Sequence, residues 1–359
     1  FVLKDVVFQY LEEKKKEKIK EFFYHKEIFN NNLITSLHTI ECKQHTGDKD
    51  TAYLYYNNGV LEVKKNHCEL IEYRHFRNYL WSEQIINREI ALPLSDNFED
   101  FCFNKFLWNI SGQTQERYNS LISIIGYLLH NFKDKSFAKA IILTDEDIDI
   151  SGMSANGGKG KSVLSSAMSL MTNMSKKEGK NIETGNRFFF QEVEPYNSIL
   201  YFDDVKQDFN FESLYSVITG DMTIEKKYKT PVVIPFEKSP KILISSNYIV
   251  TGKDGYTDER RRIDFEFSSY YSKDRTPIDE FEHIFFDEWD AEDWQKFDSL
   301  MIYCIQFYLT NGLMQAPKIR LQENKIIQST HPVFFEFAEA NLSQDNSHDQ
   351  HALPTHRTS

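Results

Sequence analysis

The sequence predicts an α/β protein: a sheet with covering helices around a glycine-dense loop, with a mixed, mostly helical region before it and a helical segment after it. Three observations carry this expectation. Residues 155–162 read Ala155-Asn156-Gly157-Gly158-Lys159-Gly160-Lys161-Ser162, a glycine-dense stretch between a strand-like and a helix-like run. From Phe137 onward, strand-like and helix-like runs alternate, which is the pattern of a sheet covered by helices. The strand-like runs after the loop also deliver polar residues at their C-terminal ends, the edge where open α/β sheets take ligands.

Composition sets the outer bounds. At 359 residues the chain has room for two or three domains with their own cores. No run approaches the eighteen apolar residues of a membrane span, and no signal peptide opens the sequence, so a cytoplasmic protein without a membrane partner is expected. Residue 1 is Phe rather than Met, so further chain is expected upstream. Cys42, Cys68, Cys102 and Cys304 show no paired spacing, which fits a reducing compartment, and adjacent His67 and Cys68 fit zinc-ligand spacings badly. The net charge of −12 argues at first against nucleic acid. The stretch 278–298 alone holds nine Asp or Glu against one Lys, however, so a local basic element elsewhere stays open.

Along the chain, Asp5 to Phe29 reads as a helix with mixed Lys and Glu on one side. Ala52–Tyr56 and Val60–Val63 flank Asn57-Asn58-Gly59, a hairpin signal. Tyr118 to Phe132 is a strongly apolar helix, and Arg74, His75 and Arg77 read as solvated charges rather than nucleic-acid contacts. Lys139–Thr144 is a buried strand and Val163–Met174 a helix. Phe188–Val193, Asn197–Phe202, Pro240–Ser246 and Ile263–Phe267 are further strands, and Trp289–Leu309 is a helix stopped by Asn311-Gly312. Phe334–Asn341 is one more short helix. The regions are thus 1–135, mostly helical; 136–272, the α/β core; 273–342, helical; and 343–359, a polar tail without apolar period.

The chemistry gathers at four places. Glycines at the loop let backbone N–H groups turn inward at a helix N-terminus, making an anion nest from residues Asn156 to Val163. Lys161 can reach β and γ phosphates, and the Ser162 hydroxyl can ligate Mg²⁺. Ala155 stands where the usual spacing has glycine. Asp203 and Asp204 follow an apolar strand about forty residues later; Asp203 suits the metal and Asp204 the attacking water. Asn247, at another strand's end, suits that water or the γ phosphate. Arg260, Arg261 and Arg262 follow a glycine-containing loop, and one of them can serve a neighbouring subunit as an arginine finger. Lys226, Lys227, Tyr228 and Lys229 form the tip of a hairpin, pairing phosphate neutralisation with a stacking face for single-stranded nucleic acid.

This order of motifs resembles the superfamily 3 helicases, with Tyr201–Phe209 and Glu237–Tyr248 most similar to phage and plasmid primase-helicases, the group related to the poxvirus primase-helicase. The resemblance covers about residues 50 to 315. It implies an AAA+ type P-loop ATPase core that works as a ring, usually a hexamer, with ATP between subunits and single-stranded DNA in the channel. It further implies that Lys161 and Ser162 hold phosphate and Mg²⁺, that Asp203 and Asp204 form the acidic motif, and that Asn247 is the sensor. Lys227 and Lys229 match the channel hairpin, and Arg260 or Arg261 the finger. A primase domain often lies upstream in such proteins, and nothing in this sequence matches one. The function expected is an ATP- and Mg²⁺-dependent DNA helicase or translocase of phage or plasmid replication in the bacterial cytoplasm. A packaging or remodelling ATPase, or an ATP-binding scaffold, is the alternative.

Overall fold

A computed structural model describes residues 3–25, 45–147, 158–182, 185–252, 255–330, 333 and 337. The chain divides into two units, 1–44 and 45–359. In the first, α1 (Leu3–Glu13) and α2 (Glu17–His25) pack on each other. The single helix expected over Asp5–Phe29 is broken within Lys14-Lys15-Lys16. Lys15 adopts φ 52°, Lys16 N–H donates to Leu11 O and Lys15 N–H to Glu12 O. These are the two bonds of a Schellman cap, here with lysine in the left-handed position that glycine usually fills. The turn-back lets Lys20 pair with Glu12, eight residues away.

The second unit opens with a meander. β1 (Thr51–Tyr56) and β2 (Gly59–Lys64) pair antiparallel across Asn57-Asn58, as the hairpin signal predicts, and β3 (His67–Ile71) adds to β2. Helices α3 (Cys102–Ile110) and α4 (Gln115–Leu129) follow, then β4 (Ala140–Asp145), α5 (Lys161–Ser169), β5 (Met174–Glu178) and β6 (Ile199–Val205). A short helix α6 (Tyr215–Thr219) leads to the hairpin β7 (Met222–Ile224) and β8 (Val232–Ile234). After β9 (Lys241–Ser246) come α7 (Tyr256–Glu259), β10 (Arg262–Phe267), α8 (Pro277–Phe281), α9 (Ala291–Asn311) and α10 (Leu321–Ser329). Five strands form one parallel sheet in the order β10-β4-β9-β6-β5.

Two sequence expectations fail here. Phe188–Val193 is a run of turns, not a strand: Phe189, Gln191 and Val193 each donate to the carbonyl three residues back. Three consecutive phenylalanines lack the period of two that a half-buried strand needs, and Phe189 instead stacks on Phe202, 5.8 Å between centroids. The helix expected to reach Met174 stops at Ser169, and Met174-Ser-Lys-Lys-Glu is the edge strand β5. An edge strand pairs on one side only, so exposed lysine is tolerated and the segment does not look like a buried strand. The short helix expected over Phe334–Asn341 and the tail 343–359 lie outside the described residues, Phe337 excepted.

Alternate residues of the sheet feed two cores. Ile141, Leu143, Tyr201, Leu243 and Phe265 pack with the meander, α3, α4 and α9. Ala140, Ile142, Leu200, Phe202 and Ile244 pack with the segment from Phe209 to Phe236. Helices α4 and α9 approach so closely at Gly126 that a Cβ there would lie 2.0 Å from Cys304 O. The acidic run 278–298, which leads into α9, is used locally: the Asp290 carboxylate accepts from Glu292 and Asp293 N–H, capping the helix, and buried Asp298 pairs with Arg88. Among the described residues no helix is long and apolar enough to cross a membrane.

Two lysines are buried where α4 meets the start of β9. Lys241 donates to Tyr127 O and His130 O, the last carbonyls of α4, and Lys133 donates to Ser239 Oγ at 2.7 Å. Desolvation pushes Lys133 down to about 7, and it pushes Lys241 well below its ordinary value with neighbouring Lys133 adding to the effect. Between pH 7 and 10.5 the unfolded chain therefore holds a proton on Lys133 that the folded chain has released, so this group makes stability rise with pH across that window. Lys133→Met is expected to flatten the slope, read as unfolding free energy from denaturant titrations at pH 7 and pH 9. An unaltered slope would contradict the burial of Lys133.

Candidate nucleotide-binding site

The loop enters α5 through Gly158 and Gly160, at φ 107° and 101°, backbone that side-chain-bearing residues rarely adopt. A Cβ on Gly160 would also lie 2.8 Å from the Phe106 ring of α3, so the loop is seated on that helix. Ala155, Asn156 and Gly157 lie outside the described residues. Ser162 is exposed in the first turn of α5 and Val163 is half-buried. Lys159, expected as a loop contact, is buried and turned toward protein partners, Asp147 Oδ2 at 3.1 Å and Ser269 Oγ at 2.9 Å.

Lys161 lies across the C-terminal edge of the sheet. Its ammonium donates to Asp145 Oδ2 at 2.5 Å, Asn247 Oδ1 at 2.8 Å and Ser246 O at 3.2 Å. The Asn247 carboxamide in turn donates to Asp204 Oδ1 at 2.8 Å, and Lys180 reaches Asp204 Oδ2 at 3.1 Å. One polar row thus joins the ends of β4, β9 and β6 to the start of α5. Asp204 sits at φ 57° where the register of β6 against β9 shifts, a bulge that re-aims its side chain. A cavity of about 550 Å³ opens beside Lys180, Asp204, Asn247 and Tyr248. A larger one, about 780 Å³, lies between residues 83–91 and Trp294 and holds none of these groups.

Asp203 is held differently. Tyr201 OH and Ser245 Oγ donate to its Oδ1 at 2.7 and 3.0 Å, and Lys176 lies 2.6 Å from its Oδ2. Burial pushes its carboxyl up, but these hydrogen bonds and the Lys176 charge outweigh burial and keep it below the usual carboxylate range. At Asp145 burial wins and raises the carboxyl against the pull of Lys161; the Lys161 ammonium is lowered by the same desolvation, against the pull of Asp145.

The arginines are not brought to this edge. Arg262 is buried between Asp264 and Asp258, as a structural ion pair. Arg261 lies over the Tyr215 ring at 4.8 Å and donates to Thr257 O, and Arg260 is exposed. In register, Arg262 faces Ala140 while Phe267 faces Asp145. Five residues of strand, roughly 17 Å, therefore separate this arginine from Asp145, the Lys161 partner. The hairpin tip presents Lys227, Tyr228 and Lys229 to solvent, whereas Lys226 pairs with Glu194.

Sequence reasoning missed Asp145, Lys176, Lys180 and the Tyr201–Ser245 pair. Asp145 lies one residue past the strand end read at Thr144, so the rule of polar residues at strand ends would have found it. The lysines sit on an edge strand and the turn after it, where nothing distinguishes them from solvated charge.

No family model matches the chain, and no curated protein does. Among solved structures it is similar to the C-terminal region of NrS-1. An apo structure of that region, in its A form, gives a TM-score of 0.41 at 13% identity, over 83% of this chain and 76% of that one. A second A-form structure, of residues 305–718, gives 0.40 at 14% identity over the same shares. Identity this low and superposition this loose say nothing of shared chemistry.

Gly160→Ala is expected to lower stability by about 2 kcal/mol through strain at positive φ and overpacking against Phe106. Chemical denaturation measures it, and a variant as stable as the parent would show that the loop is not seated on α3.

Proposed function

We propose that this chain binds ATP with Mg²⁺, hydrolyses it, and uses the turnover as a DNA helicase or translocase in replication. The observation that carries the reading is the polar row itself. Lys161, Asn247 and Asp204, from three segments far apart in sequence, are joined by hydrogen bonds at the C-terminal edge of a parallel sheet, beside a glycine loop that opens a helix. Strand order supports it further: β9 lies between β4 and β6, so Asn247 stands between the loop lysine and the acidic pair.

The residues fit the groups they would hold. Two glycines at positive φ leave backbone N–H groups free to face an anion, and the first turn of α5 adds donors without intrahelical partners. Ser162 and Asp203 offer hard oxygens to Mg²⁺, which takes few protein ligands and fills the rest with water and phosphate. When bound, the ion neutralises phosphate charge. Asp204, paired with Lys180 and aimed by Asn247, is placed to orient a water. Arg260 and Arg261 stand away from their own site, which supports service to a neighbouring copy and hence a ring, of which a hexamer is the form the sequence resemblance implies. The hairpin tip, with Lys227, Lys229 and exposed Tyr228, supports a contact with single-stranded DNA.

Lys161→Ala is expected to lower ATP turnover by about 100-fold or more, because it removes a charge that acts on the transferring phosphoryl group. Phosphate release at saturating ATP and Mg²⁺ reads this, and unchanged turnover sinks the assignment. The double variant Lys227→Ala/Lys229→Ala is expected to lose stimulation of turnover by a single-stranded oligonucleotide. Stimulation equal to the parent's would take the hairpin off the strand, and no stimulation in the parent would favour a packaging or remodelling ATPase.

A further inference from the structure

Asp145 belongs to none of the motifs that mark the site, yet it makes the shortest contact to Lys161. It is the last residue of β4, paired on one side with β10 and lying on the strand flanked by β9, so its backbone cannot withdraw. The residue is 3% exposed. Its Oδ2 takes Lys161, while its Oδ1 is buried with no hydrogen-bond partner among the described residues.

An ammonium has three donors, and Lys161 gives them to Asp145, Asn247 and the Ser246 carbonyl. A phosphate can engage this lysine only by taking a donor from one of those acceptors. Asp145 is the one that carries charge, so it competes hardest. The contrast with Arg262 is instructive: its guanidinium grips Asp264 through two nitrogens and Asp258 through a third contact, an arrangement that locks. Asp145 and Lys161 touch at one point with one carboxylate oxygen left over, an arrangement that can exchange.

We propose that Asp145 is a positioning residue that holds Lys161 back from the loop when no nucleotide is present, and so sets how tightly nucleotide binds. The inference rests on the reading of residues 158–163 as a nucleotide loop. Asp145 makes no contact with nucleotide in this scheme; it acts through Lys161. A resting enzyme built this way takes nucleotide weakly enough to release it, because the ion pair re-forms as the phosphates leave.

Two measurements on the full chain test it. Equilibrium binding of a fluorescent ATP analogue with Mg²⁺ is expected to tighten in Asp145→Asn by about tenfold or more, the effect of removing a close charged competitor. Steady-state kinetics should show the change in KM rather than kcat. Binding equal to the parent's, or weaker, overturns the proposal. The second measurement needs no nucleotide: amine labelling followed by mass spectrometry should find Lys161 protected in the parent and labelled several-fold faster in Asp145→Asn. Equal labelling overturns the latch by itself. Failure of the functional reading looks different, since then Lys161→Ala binds the analogue as the parent does while the labelling contrast persists. Should Asp145→Asn not fold, Asp145→Thr removes the same charge with a β-branched residue suited to a strand, and the same outcomes apply.

Discussion

The direction of the strands is the constraint on which the site depends. All five strands of the central sheet run parallel, so the residue that ends each one arrives at the same edge. Asp145, Asp203, Asp204 and Asn247 are spread over about a hundred residues of sequence, and this one geometric fact gathers them. Reversing any strand would carry its terminal polar group some six residues away, to the edge where Arg262 lies. The two cores that clamp the sheet hold the register that makes the gathering accurate.

Charge at that edge is compensated within the protein. Asp145, Asp203 and Asp204 each meet a lysine: Lys161, Lys176 and Lys180 respectively. Isolated charges so placed would shift toward neutrality, because removing them from water is costly. Asp203, which accepts from Tyr201 and Ser245, has its carboxyl held below its ordinary range, while that of Asp145, one of whose oxygens has no partner among the described residues, is raised. Depth of burial comes first, since Asp145 is buried and Asp203 half-exposed, and the satisfied lone pairs of Asp203 add to the difference.

Much of this was legible beforehand. The α/β pattern, the loop entering α5, the hairpin at Asn57-Asn58 and strands β4, β6, β9 and β10 follow from periodicity and turn chemistry, which are local signals. Asp203, Asp204 and Asn247 were visible because strands announce their ends. What the sequence hid is what neighbours decide. β5 carries lysines because it pairs on one side, so it did not look like a strand, and Phe188–Val193 looked like one because half-buried Phe189 and Phe190 pack against a face of the sheet without pairing. Lys159 shows the same limit: its place in the loop suggested a ligand contact, but Asp147 and Ser269, distant in sequence, claim its ammonium.

The capping of α9 bears on the electrostatic field around the chain. Its acidic run supplies most of the negative balance, yet Asp290 is tied to backbone N–H groups and Asp298 to Arg88. Beyond about 8–10 Å such charge is largely screened at physiological salt. An isoelectric point near 5.5 therefore describes the whole chain without describing any one face of it. The field at the β7–β8 tip is set by the few side chains within that radius, and a protein acidic in sum can be basic at one tip.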